Sequence, residues 1–191
     1  MIFLSKDPKV FLVENFFSKK ECFELIEKNY ENLTETKVTD GHKVKKSNLR
    51  TGKYTFLKED KSKSQLIKKI CKLHDWNIKN VEKPQMINYR PGNWYAPHYD
   101  AFDENILKEK EEIKGQRLFT NIIYLNENFT GGETVFPKLN LNIKPKIGML
   151  LSFQNCLNGT NFLNPFMQHS SSPIKKGEKN IISVWLTSSY L

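Results

Sequence analysis

Cysteine is scarce in this chain: Cys22, Cys71 and Cys156 are odd in number, far apart and never in a CxxC spacing. Neither a disulfide framework nor a thiolate zinc site is indicated by that pattern. Long apolar runs are missing too, so no segment reads as a bilayer span. The start, MIFLSKDPKVFLVENFF, is interrupted by Lys6, Asp7 and Lys9 and lacks the uninterrupted apolar stretch of a signal peptide. Together these absences predict a reducing, cytoplasmic setting without a membrane. Arginine is confined to Arg50, Arg90 and Arg117. There is no internal repeat and no low-complexity segment.

The residues that are abundant point to a folded domain. With 191 residues, 38% hydrophobic and 12% aromatic, the chain can bury a core with a pocket in it, and one domain over 1–191 is the expectation. Thirty basic residues against 21 acidic leave a net charge of +9. That balance suits acidic partners or nucleic acid in principle. Many of the lysines fall between Lys43 and Lys83, however, where solvated helix faces account for them without a ligand.

Ser18-Lys19-Lys20-Glu21 reads as a capping box, and Cys22, Leu25 and Ile26 recur at helical spacing, which predicts a helix from Ser18 to Tyr30. Residues 31–53 are polar and predict loops with a ragged edge strand. Leu66, Ile67, Ile70, Cys71 and Leu73 form the apolar face of a second, basic helix. From residue 84 the pattern changes to short strand-like runs between turn signals: QMINYR, APHYDAF, RLFTNIIYLN, GGETVF, LNIKP, GMLLSF and NIISVWLT. The predicted class is α+β and mainly β, a sandwich or barrel, with a helical and basic support region over 1–83 and a strand-rich core over 84–188. One polar insertion, residues 103–116, interrupts the rhythm as a lid or an exposed helix.

His98 and Asp100 are two residues apart. In a strand that spacing puts both side chains on one face with Cα atoms about 6.6 Å apart, close enough to share a metal. An H-x-D pair is common by chance, so a third ligand is needed. His42 and His74 read as solvent-facing or locally hydrogen-bonded. His169 lies in a late strand-rich region that a jelly roll would fold back onto the His98 strand. Two imidazoles and one carboxylate make the facial triad of non-haem Fe(II) oxygenases, whereas zinc more often adds a fourth protein ligand. Lys179 opens a run whose alternation puts Lys179, Ile181, Ser183 and Trp185 on one face, and it could pair with the far carboxylate of 2-oxoglutarate. Leu118, Thr120, Ile122 and Tyr124 likewise share a face and offer two hydroxyls to that same carboxylate. Taken singly, Thr and Tyr are ordinary strand formers.

Three segments, QMINYRPGNWYAPHYDAF, RLFTNIIYLNENFTGGETVFPKLNLNIKPKIGMLLSF and QHSSSPIKKGEKNIISVWLT, resemble in order and spacing the prolyl 4-hydroxylase family of 2-oxoglutarate oxygenases, of the collagen-type and bacterial kind. PKVFLVENFFSKKECFELI is similar to that family's opening strand and helix and KSNLRTGKYTFL to its next strand region, so the likeness spans nearly the whole chain. The resemblance implies a double-stranded β-helix, or jelly roll, with N-terminal helices packed against it. It implies Fe(II) held by the catalytic residues His98, Asp100 and His169, and a 2-oxoglutarate whose distal carboxylate meets Lys179. A lysine there marks this branch; arginine is typical of oxygen-sensing prolyl hydroxylases and lysyl hydroxylases, and the arginine-rich signature of nucleic-acid demethylases is absent. By the same resemblance Tyr89, Thr120 and Tyr124 line the cosubstrate pocket, and Tyr95 and Trp185 lie near the substrate proline. Dioxygen is the second cosubstrate, ascorbate a reductant, and a proline-containing peptide or protein the partner, hydroxylated with release of succinate and CO2.

Two departures bear on which peptide is bound rather than on the metal. Asn180 stands where the family often has an aromatic residue, and residues 103–116 follow no family pattern. Gly131 and Gly132 match a GGET turn and read as glycines permitting positive φ. Competing readings are a hydroxylase of a free amino acid or other small molecule, a nucleic-acid oxygenase drawing on the +9 charge, and an inactive jelly-roll binding module.

Overall fold

The computed structural model describes residues 1–35, 37–40, 43–46, 50–109 and 115–188. Its N-terminal third holds β1 (Ile2–Lys6), β2 (Lys9–Val13), α1 (Lys19–Asn29), β3 (Thr34–Glu35), β4 (Lys37–Asp40), β5 (Lys43–Lys46), β6 (Lys53–Phe56) and α2 (Lys61–His74). Next come β7 (Gln85–Tyr89), β8 (Tyr95–His98), α3 (Glu104–Glu109), β9 (Arg117–Tyr124), β10 (Thr130–Gly131) and β11 (Thr134–Phe136). The chain ends with β12 (Leu141–Ile143), β13 (Leu150–Gln154), β14 (His169–Ser171), β15 (Ile174–Lys176) and β16 (Lys179–Thr187).

Eight strands form the larger sheet in the order β1, β2, β13, β9, β16, β7, β6, β3, and four form the smaller in the order β12, β11, β14, β8. Neighbours in both sheets run antiparallel. Period-two alternation sorts the side chains of the large sheet between two cores. Ile87, Tyr89, Ile122, Tyr124, Leu151, Phe153 and Ile181 face inward and meet Phe136 and Ile143 of the small sheet. Their neighbours Met86, Ile123, Leu150, Ile182 and Val184 face outward and meet Cys22 and Leu25 of α1 and Leu66 and Ile70 of α2. Covered on both faces, β16 is buried at all nine of its positions. This explains why KNIISVWLT has no charged residue after its first lysine.

Local chemistry fixes the helix ends. The Ser18 hydroxyl accepts from the Glu21 amide at 3.2 Å while the Glu21 carboxylate accepts from the Ser18 amide at 2.8 Å, the reciprocal pair expected from the sequence. Asp60 caps α2 by accepting from the Lys63 amide at 2.9 Å, and Asp75 ends it in the left-handed region at φ 50°. No helix among the described residues is long and apolar enough to cross a membrane.

Residues 1–83 contribute strands as well as helices: β1, β2, β3 and β6 extend the large sheet at both of its ends. β2 and β6 fall in the two segments for which the family resemblance implied strands, and they pair with β13 and β7, far along the chain. The 103–116 insertion contains α3, and the remainder of it from 110 to 114 lies outside the described residues, as does His42.

Leu150 is wholly buried between β2 and β9, opposite Val13 and Ile123. Leu150→Ala is expected to lower the unfolding free energy by about 2–5 kcal/mol, read from the urea midpoint at unchanged slope.

Candidate metal and cosubstrate site

Strand pairing brings the two histidines together. β14 runs antiparallel to β8 with His169 directly opposite His98. Asp100 sits just past the end of β8, yet its carboxylate still turns toward both rings. Its Oδ1 lies 3.7 Å from His98 Nε2 and its Oδ2 lies 3.7 Å from His169 Nε2. The three ligand atoms are all within 4.8 Å of one another. Each imidazole is oriented from behind: His98 Nδ1 donates to the Ala96 carbonyl at 2.8 Å and His169 Nδ1 to the Met167 carbonyl at 3.0 Å. A carbonyl only accepts, so both rings carry their proton on Nδ1 and present the Nε2 lone pair to the common centre. Phe136 and Phe153 pack around the His169 ring, and Tyr95 stacks on His98 at 3.5 Å between centroids.

Protonation states agree with a ligating role. Burial pushes His98 down to about 3, helped by the facing His169, so its ring is neutral near pH 7. Burial alone would raise Asp100, but His169, His98, the Arg117 guanidinium and the Thr120 hydroxyl outweigh it and hold the carboxyl below its ordinary value. Two imidazoles with Nε2 turned to a shared point and one carboxylate beside them fit a ferrous ion with open positions.

Lys179 is 1% exposed, and among the described residues no carboxylate is within ion-pair distance of it. Its ammonium donates to the Gly132 carbonyl at 2.6 Å and the Ser171 hydroxyl at 3.0 Å, and lies 5.4 Å and 5.7 Å from the ring centroids of Tyr89 and Tyr124. Burial pulls it down to about 7, with Glu133 opposing. A buried cation without a counter-ion is costly and is a receptor for an anion. Gly132 does more than turn the chain at φ 71°, because a Cβ there would stand 2.4 Å from Ile174 Cδ1 and 3.1 Å from Lys179 Cδ.

Thr120 and Tyr124 do not converge as expected. Four residues along one strand separate their Cα atoms by about 13 Å, too far for two hydroxyls to meet one carboxylate. Tyr124 stays at the Lys179 end, its hydroxyl bonded to Thr134 at 2.7 Å. Thr120 is at the metal end and donates to Asp100 Oδ2 at 2.7 Å, which corrects its assignment to the cosubstrate carboxylate. Of the two readings offered for His74 the hydrogen-bonded one holds, with partners distant in sequence: Nε2 meets Asn121 Oδ1 at 3.0 Å and Ser152 Oγ at 3.2 Å, away from the triad on the outer face of the sheet.

A cavity of about 120 Å³ opens beside the triad, lined among others by Tyr89, Tyr95, Ser183, Trp185, Arg50 and Arg117. Trp185 and Tyr95 are therefore both at its wall. Arg117 is gripped by both oxygens of Glu82 at 2.6 Å and 2.7 Å and lies 4.0 Å over the Trp185 ring. Gln116, fully buried, ties the backbone of Phe102 just past Asp100 to that of Asn161 before His169, at 2.8 Å and 3.0 Å.

The family model described as the 2OG-Fe(II) oxygenase superfamily matches residues 84–187. A protein of Acanthamoeba polyphaga mimivirus, provisionally named a prolyl 4-hydroxylase, is 30% identical over 184 residues, covering 94% of this chain and 75% of that one. This chain belongs to the prolyl 4-hydroxylase family. Prolyl 4-hydroxylase 2 of Arabidopsis thaliana is also 30% identical, over 210 residues that cover 96% of this chain and 68% of its own. Among solved structures, the viral collagen prolyl hydroxylase of Paramecium Bursaria Chlorella virus-1 in its 2OG complex matches with a TM-score of 0.73 at 28% identity, covering 94% of this chain and 96% of that one. As a prolyl 4-hydroxylase family member the chain is a 2-oxoglutarate-dependent dioxygenase that uses Fe(II), 2-oxoglutarate and O2, built on the double-stranded β-helix.

Sequence reasoning did not single out Ser171, Arg50, Arg117, Gln116 or Asn155. For the arginines a clue was present. A chain that uses lysine almost everywhere keeps two of its three guanidiniums at this pocket, where a planar fork can pair with a carboxylate or stack on a ring.

Proposed function

We propose that residues 1–191 form one catalytic domain that hydroxylates proline in a peptide, with the ferrous ion held by His98 Nε2, His169 Nε2 and the Asp100 carboxylate. The observation that carries this reading is the meeting of those three donors within 4.8 Å, each imidazole already in the ligating tautomer. Lys179 pairs with the far carboxylate of 2-oxoglutarate, in a slot walled by Tyr89 and Tyr124. When bound, iron and cosubstrate supply the oxidation: one atom of O2 enters the substrate C–H bond and the other enters succinate as CO2 leaves. The protein's own residues do the placing. Lys179 fixes the cosubstrate's direction, and the aromatic rings around His169 and His98 keep bulk water from the reacting centre. Tyr95 and Trp185 offer flat apolar faces to a pyrrolidine ring, and an extended proline-rich strand is a preformed ligand for such a wall. The three buried free thiols suit a reducing compartment, which supports a cytoplasmic location.

The test is product analysis. Proline-containing peptides and free proline are incubated separately with Fe(II), 2-oxoglutarate, ascorbate and air. The expected result is one added oxygen on peptidyl proline, matched by succinate. Faster turnover of the free amino acid would replace the peptide with a small-molecule substrate.

A further inference from the structure

Asp100 is held by a hydrogen-bonded chain that reaches away from the triad. Thr120 Oγ1 donates to Asp100 Oδ2 at 2.7 Å, and Asn155 Nδ2 donates to Thr120 Oγ1 at 2.8 Å. Thr120 is 1% and Asn155 2% exposed, so water does not compete for these bonds.

The direction of the chain follows from what each group can do. An ionised carboxylate only accepts, so the Thr120 proton must point at Asp100; its oxygen is then left as an acceptor, which only the amino end of Asn155 can fill. The backbone holds Asn155 in place, its amide donating to the Leu118 carbonyl at 2.8 Å and its carbonyl accepting from Asn164 at 2.9 Å. The side-chain carbonyl at its other end is buried and has no partner among the described residues. Leaving an acceptor unpaired costs stability, and the fold gains nothing from it that a smaller apolar residue would not give. The strand does not need the Thr120 hydroxyl either, since valine has the same shape and an equal preference for β9.

We infer that Asn155 and Thr120 are positioning residues for Asp100. Resting on the reading of the triad as the iron site, the relay occupies Oδ2 from the protein side and restrains rotation of the carboxylate. Oδ1, which takes no hydrogen bond from the described residues, is thereby presented toward His98 and the shared centre. The relay also ties together the β9 strand, the turn that carries Asp100 and the segment that leads from β13 toward His169. Fe(II) affinity is the quantity it sets.

Fe(II) is titrated anaerobically into wild type, Thr120→Val, Thr120→Ser and Asn155→Ala with 2-oxoglutarate saturating, following the charge-transfer absorption, with thermal unfolding as the check on folding. Thr120→Val is expected to weaken Fe(II) binding by about 10–100-fold, the usual effect of losing a partner behind a ligand. Thr120→Ser restores binding, and Asn155→Ala weakens it in the same direction although it touches no ligand. Wild-type affinity in both Thr120→Val and Asn155→Ala, or an equal loss in Thr120→Val and Thr120→Ser, overturns the relay while leaving the triad intact. A wild-type chain that takes up no iron overturns the triad and the relay with it.

Discussion

Asp100→Ala and His169→Ala lose Fe(II) uptake by more than about 100-fold, since partners standing one shell further out already cost 10–100-fold. Each replacement removes one of the three donors that, among the described residues, meet within 4.8 Å. The rest of the site cannot compensate. Glu82, the carboxylate that holds the pocket-lining Arg117, is locked in that double contact, and His74 is on the far side of the large sheet. Both variants are expected to fold, because Asp100 and His169 sit at the end of the small sheet and the outer core against α1 and α2 does not involve them. Equilibrium dialysis with metal analysis, beside circular dichroism, separates lost iron from lost structure. Near neutral pH the proton is a weak competitor, because His98 gains charge only as the pH falls toward about 3.

Lys179→Ala should raise the KM for 2-oxoglutarate by about 100-fold or more while Fe(II) binds as before. Removing one partner of a buried charge pair costs about 3–5 kcal/mol, most of it from the charge left unpaired. In this site the alanine variant would leave the cosubstrate carboxylate with the Ser171 hydroxyl and the aromatic edges alone. Equal loss of metal and cosubstrate binding would contradict the assignment of Lys179. Lys179→Arg does not rescue it, because a planar guanidinium does not take the place of the compact ammonium seated between the Gly132 carbonyl and the Ser171 hydroxyl.

The same lysine gives a pH dependence with a definite sign. Burial brings Lys179 down to about 7 in the cosubstrate-free chain, and only the ammonium pairs with a carboxylate. Above that pH, binding must take up a proton, so the KM for 2-oxoglutarate rises by up to about tenfold per pH unit. Stability moves the other way. Between about 7 and the ordinary lysine value of 10.5 the unfolded chain keeps a proton that the folded chain has released. This group therefore makes unfolding harder as the pH climbs through that window. The profile of KM for 2-oxoglutarate in Lys179 protein should flatten in Lys179→Ala.

How far the sequence could be read is clearest at β16 and β9. In KNIISVWLT, the alternation put Lys179, Ile181, Ser183 and Trp185 on one face, and Lys179 stood out as the one cation in it; that the strand is covered on both faces emerged only from the fold. RLFTNIIYLN showed its shared face as plainly, but a shared face does not say what lies opposite each position. Thr120 and Tyr124 point the same way, yet one meets Asp100 and the other Thr134, because β9 crosses the whole length of the site. The capping box at Ser18 was legible because all its chemistry lies within four residues. The strands β2 and β6 were legible through the family resemblance of their segments and not from local pattern, because β2 is defined by β13 and β6 by β7, and their own sequences are short and mixed. Asn155 and Gln116 were hidden for a related reason. A buried amide becomes informative only when its partners are known, and those partners come from other parts of the chain.

The most direct measurement is an anaerobic titration of the purified chain with Fe(II) in the presence of 2-oxoglutarate. The account predicts a metal-to-cosubstrate charge-transfer band that saturates at one iron per chain and disappears in Asp100→Ala. Failure of the band to form, or its persistence at full strength in that variant, would contradict it.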